Sequence, residues 1–167
     1  MLQKFMGKKK KQDPAKNNER IIAENRKAKH EYTVLDSLEC GIVLVGSEVK
    51  SLRNGTATIG DAFGKVKNGE VFLINCDVPE YVEANRFNHK PKRDRKLLMH
   101  RNEIQRFAMR AMEKGLTLVP LRMYFKEGKA KVLLGLCKGK QEFDKRAVMK
   151  KAETQKALRL SMMHRTR

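Results

Sequence analysis

Four histidines (His30, His89, His100 and His164) are scattered along the chain, with no HExxH, no HxH and no carboxylate at ligand spacing. Such spacing carries no motif of a zinc site or of a histidine-based catalytic centre. There is no glycine loop that would cradle phosphate and no GxSxG elbow. Asp61 and Glu70 could be imagined as an acid–base pair, but both flank a predicted hairpin, where turn and solvent-facing roles are the ordinary ones. Cys40, Cys76 and Cys137 are odd in number and lack CxxC spacing, so buried, reduced thiols are expected rather than disulfides or a metal centre. The expectation is a protein without cofactor, metal or catalytic activity.

Binding chemistry is better represented. The stretch ANRFNHKPKRDRKLLMH (84–100) places six basic residues within positions 86–96 against one acid, Asp94. Arg86, Lys92, Arg93, Arg95 and Lys96 are the types that neutralise phosphates, while Phe87, Asn88 and His89 can stack on or hydrogen-bond to unpaired bases. Pro91 is expected to hold the segment extended. The bland alternative is a solvated basic loop between strands. No helix carries the Arg/Asn pattern of a duplex-DNA reader.

Charge points the same way. The 167 residues carry 38 Lys and Arg against 19 Asp and Glu, a formal net charge of +19. Residues 1–29 and 138–167 each contribute +7, and the long middle only +5. Two basic arms thus flank a nearly ordinary globular segment, and a polyanion is the natural partner. A membrane is not expected: no apolar run approaches the ~20 residues that span a bilayer, and the first residues lack a signal peptide's apolar segment. A cytoplasmic monomer is expected.

The elements that must position these residues read as short strands with punctuation. EYTVLDSL (31–38) and CGIVLVG (40–46) are two predicted strands, and SEVKSLRNG (47–55) a short helix capped by Ser47. DAFGKVK (61–67) and EVFLINCDV (70–78) form a hairpin across Asn68-Gly69. Apolar residues at 104, 107, 108, 111 and 112 define a helix over 101–115. LTLVPLRMYF (116–125) and KVLLGLC (131–137) flank a second turn at Lys126-Glu127-Gly128, with Pro120 marking an edge or a bulge. This is a mainly β chain with embedded helices. An OB-type closed barrel of about six strands fits best, because closure removes exposed edges; an SH3-like barrel or an irregular sandwich are alternatives. The expected division is a disordered basic arm over 1–22, a barrel over 23–140 and a basic tail over 141–167.

NRKAKHEY (25–32), ECGIVLVGSEVKSLRNG (39–55), NRFNHKPKRDRKLLMH (85–100), EKGLTLVPL (113–121) and KGKQEFDKR (138–146) resemble the SsrA-binding protein (small protein B) family of bacterial trans-translation. The resemblance implies an OB-type barrel that binds the tRNA-like domain of transfer-messenger RNA (tmRNA). It also implies delivery of that RNA, with elongation factor Tu, to stalled ribosomes, and help in its charging by alanyl-tRNA synthetase. By family motif, Glu39, Leu98 and Lys131 are implied to contribute to RNA binding, with Asn25 and Arg26 placed against the RNA. Lys138 and Lys140 are added as basic neighbours. Relatives often carry His or Tyr before D-K-R, where this chain has Phe143, so stacking is retained and imidazole chemistry is not.

The tail over 141–167 has helix formers but only a weak apolar stripe, and a helix without a packed face is marginal in water. It is expected to be disordered when free and helical in the message channel of a stalled small subunit. There Phe143 would stack near the decoding site, Asp144 would fix the turn, and Lys145 and Arg146 would grip ribosomal RNA phosphates. A tail packed on its own barrel is the structural alternative. A permanent ribosomal protein is the alternative function, and an RNA-processing enzyme is disfavoured by the missing acid–base or metal constellation.

Overall fold

The computed structural model describes residues 19–55, 57–113 and 115–141, with residues 154 and 162 beyond them, and no side chain at 85–87. The expected ribosome contacts Phe143, Asp144, Lys145 and Arg146 lie outside the described residues, as do nearly all of the tail and most of the arm.

In chain order the elements are β1 (Arg20–Glu24), α1 (Arg26–Glu31), β2 (Tyr32–Ile42), α2 (Gly46–Arg53), β3 (Phe63–Lys67) and β4 (Glu70–Ile74). A 3-10 helix (Val82–Phe87), β5 (Arg95–Leu98), α3 (Arg101–Ala111), β6 (Leu116–Lys126) and β7 (Lys129–Gly139) follow. The strands run β6-β3-β4-β5-β2-β7, and β7 pairs back onto β6, so six strands close an antiparallel barrel; β1 lies outside on β6. The expected OB-type closed barrel is what forms.

Alternation builds the wall. On β4, Val71 and Leu73 are fully buried while Glu70, Phe72 and Ile74 are half-buried on the other face. Leu97, Leu118, Met123, Val132, Leu134 and Leu136 fill the interior with them, and Phe107 of α3 is fully buried against the same core. Closure is tightest where β3 meets β6. There Gly64 is opposite Leu118, and a Cβ on Gly64 would lie 2.7 Å from the Leu118 Cβ. Both predicted tight turns form: Asn68 and Gly69 have φ of 51° and 74°, and Glu127 and Gly128 repeat those values. Two positive φ values match the twist of the flanking strands.

Several expectations change. The two strands expected over 31–38 and 40–46 are one strand, β2, with its irregularity between Val34 and Asp36. Gly41 sits inside it; its α-carbon leaves room for Leu98, whose Cβ a side chain there would approach to 3.2 Å. β1 and α1 were not anticipated, and β1 crosses the expected arm–barrel boundary at residue 23. The basic segment holds a 3-10 helix and β5 in place of a fully extended loop. The bulge expected near Pro120 is present as a register shift between Pro120 and Arg122. α2 is not capped by Ser47: Glu48 reaches back to accept from the Val45 amide at 2.9 Å, and Ser47 faces His89.

Candidate nucleic-acid interface

The strand registers bring three distant segments to one wall. Glu39 and Gly41 on β2 lie opposite Leu133 and Lys131 of β7, while Gly41 also faces Leu98 of β5. Glu39, Leu98 and Lys131 are therefore neighbours, although nearly a hundred positions separate the first from the last. Tyr124 donates its hydroxyl to Glu39 Oε2 at 2.5 Å, Lys126 Nζ donates to the same oxygen at 2.9 Å, and Lys131 Nζ is 3.8 Å from Oε1. The Tyr124 bond, then that of Lys126, holds the Glu39 carboxyl below the usual carboxylate range against the opposing effect of burial. Burial, then the Glu39 bond, pushes the Tyr124 phenol up. One carboxylate thus orients two lysines and a phenol, and the cluster stays cationic. Beside it is a recess of about 410 Å³ lined by Gly41, Leu98, Phe125, Lys129 and Lys131 among others. Leu98 is 52% exposed at this recess, an apolar lip next to ammonium groups. A wall of that kind can receive a sugar or base face while lysines meet phosphates. Tyr124, Lys126 and Lys129 were missed by sequence reasoning because only cross-strand register brings them here.

The second predicted patch is organised differently. Arg95 is fully buried: its guanidinium donates to Glu48 Oε1 at 2.9 Å and to the carbonyls of Cys76, Pro91 and Arg93. Arg93 donates to both Glu48 oxygens, at 2.7 and 2.5 Å, and to the Val43 carbonyl. Burial pushes the Glu48 carboxyl up, yet the bonds from Arg93 and the Val45 amide and the charge of Arg95 leave it lowered overall. His89 is buried, with Nε2 3.0 Å from the Val78 carbonyl and Nδ1 3.0 Å from Ser47 Oγ. Asn88 closes the turn by exchanging bonds with the Tyr81 backbone. Lys96 pairs with Glu70, and Lys92 is exposed. The backbone of Arg86 and Phe87 ends the 3-10 helix.

Asn25 is likewise internal. It caps α1 by accepting from the Ala28 amide at 2.9 Å and donates to the carbonyls of Ile59, Gly60 and Pro120. Asn25, His89 and Arg95 are buried with their polar atoms bonded inside the protein, and Asn88 is half-buried with its amide bonded to the Tyr81 backbone, so in this structure these side chains shape the surface. Arg26 and Lys138 are exposed, and Lys140 donates to the Lys29 carbonyl at 2.9 Å. Asp61 and Glu70 do not form a pair; each holds a lysine, Lys27 and Lys96 respectively. All three thiols are free and buried, and burial pushes Cys40 to about 12 and Cys76 and Cys137 to about 11.

A closed small barrel whose outer wall gathers lysines around an apolar recess is an OB-type binding module. The chain belongs to the SmpB protein family, whose model matches residues 22–164. It is 49% identical to the SsrA-binding protein of Levilactobacillus brevis over 149 residues, 89% of this chain and 95% of that protein. It is 54% identical to the SsrA-binding protein of Carboxydothermus hydrogenoformans over 145 residues, 84% and 97% of the two chains. A chain in the solved structure described as "tmRNA-SmpB: a journey to the center of the bacterial ribosome" superimposes with a TM-score of 0.62 at 46% identity. That match covers 72% of this chain and 85% of the solved one. No helix among the described residues is long and apolar enough to cross a membrane.

Proposed function

We propose that this protein is an RNA-binding adaptor of trans-translation, working in the cytoplasm without cofactor or chemistry of its own. It binds the tRNA-like domain of tmRNA and carries it to stalled ribosomes. The names of the relatives and of the solved neighbour support this reading. The observation that carries it to residues is the convergence of Glu39, Leu98 and Lys131, with Lys126, on one wall beside an apolar recess. In this account Lys126 and Lys131 meet phosphates, Leu98 packs on a sugar or base, and Glu39 accepts from an amino group or ribose hydroxyl while holding the lysines in place. Arg26, Lys92 and Lys138 extend the cationic surface. Elongation factor Tu and alanyl-tRNA synthetase are engaged through the RNA. Residues 141–167 form a separate functional segment in which Phe143, Asp144, Lys145 and Arg146 enter the decoding site and the message channel. The test is to purify the protein from its cells and sequence the RNA that comes with it. Enrichment of tmRNA is expected, with loss of that enrichment in K131E; a predominance of bulk ribosomal RNA would sink the proposal.

A further inference from the structure

Of the cations in the 86–96 segment whose side chains are described, Arg93, Arg95 and Lys96 are engaged by Glu48 or Glu70. Lys90 and Lys92 are exposed and make no ion pair among the described residues. The residues on either side of them are held by one side of α2. Ser47 bonds His89, Glu48 bonds Arg93 and Arg95, and Ser51 Oγ donates to the Pro79 carbonyl at 2.7 Å. At about 3.6 residues per turn these three positions fall within an arc of about 100°, so the three polar groups grip the segment from one side of the helix. Arg95 ties Pro91 from below, and the Val78 amide donates to the Pro91 carbonyl at 3.1 Å, closing the base of the excursion. Glu48 and Arg95 are both fully buried, an arrangement expensive to build for a loop that only connects two strands.

We propose that the side of α2 carrying Ser47, Glu48 and Ser51 is a positioning element for RNA binding, which holds Lys90 and Lys92 preorganised for a run of phosphates. None of the three serves as a contact itself; each acts through the backbone of residues 79–93. This rests on the reading that the chain binds structured RNA. A segment held before binding avoids the ordering cost that a floppy basic loop would incur on association.

The test uses the full-length protein and the tRNA-like domain of tmRNA, with affinity measured as a function of salt. Each phosphate contact contributes about 0.7–0.9 to the log–log salt slope, so K90A/K92A should lower the slope by about 1.4–1.8. S47A/S51A keeps every charge. It should nonetheless lower the slope by a similar amount and weaken binding about tenfold at physiological salt, and combining it with K90A/K92A should add nothing. Hydrogen exchange should accelerate at residues 79–93 and stay unchanged in β6 and β7. E48Q, if it folds, should behave as S47A/S51A does; R93Q is the milder second variant. An unchanged slope in S47A/S51A and R93Q, or losses that simply add to those of K90A/K92A, overturns the proposal. If wild type and K131E bind the tRNA-like domain equally and weakly, the functional reading itself has failed instead.

Discussion

Glu39 is the residue on which the proposed RNA wall turns. Its folded pKa is lowered, first by the Tyr124 hydroxyl and then by Lys126. A group of that kind contributes stability above the ordinary glutamate value of about 4.3, and the contribution disappears as pH falls through the lower folded value. Tyr124→Phe removes the largest cause while leaving the ring. The Glu39 carboxyl titration, followed by carbon NMR, should then shift upward toward the ordinary value; an unmoved midpoint would show that Lys126 and Lys131 alone set it. In the same variant Lys126 keeps its partner, so RNA binding should fall by only a few fold. Lys131→Glu instead puts a second carboxylate beside Glu39. Binding should fall at least tenfold while thermal unfolding drops only modestly, because a like-charge pair on adjacent strands costs about 0.2–1 kcal/mol.

At the scale of elements, the seam between β3 and β6 is the most exacting joint. Gly64→Ala would push a methyl into Leu118, and overpacking of this kind costs about 1–3 kcal/mol. Thermal unfolding should drop by several degrees, while Gly69→Ala at the exposed turn acts through backbone strain alone. Both hairpins were legible in the sequence because Asn68-Gly69 and Glu127-Gly128 settle their geometry within two residues. α3 was legible because its apolar period runs through Phe107. β1, α1 and β5 were not. Arg20–Glu24 becomes a strand only by pairing with β6, about a hundred positions away, and Arg95 reads as a phosphate ligand until Glu48 is seen beside it. Glu39, Leu98 and Lys131 came from the family resemblance. Nothing local in the sequence marks Tyr124 or Lys126 as their neighbours, since cross-strand register is a property of the closed barrel.

For the whole molecule, the charge distribution separates two tasks. The barrel wall gathers its lysines around a carboxylate and a recess, whereas residues 138–167 carry +7 with few large apolar side chains. Charge that strong favours association with a polyanion. The SmpB family match extends to residue 164 and so includes the tail in the family pattern. The strands that close the barrel end before it: β7 ends at Gly139, and Lys140 is tied back to α1 by its amide to the Glu31 carbonyl and its Nζ to the Lys29 carbonyl. A cut after Gln141 therefore leaves β7 and its tie to α1 complete. The truncated protein should unfold within a few degrees of the full chain and bind the tRNA-like domain within about threefold, since surface losses remote from a site leave affinity nearly additive. Peptide tagging on stalled ribosomes should be abolished, because Phe143, Lys145 and Arg146 are gone. Tagging that persists in a reconstituted translation system would mean that the barrel alone recognises the stalled state and that the tail only adds general affinity for ribosomal RNA.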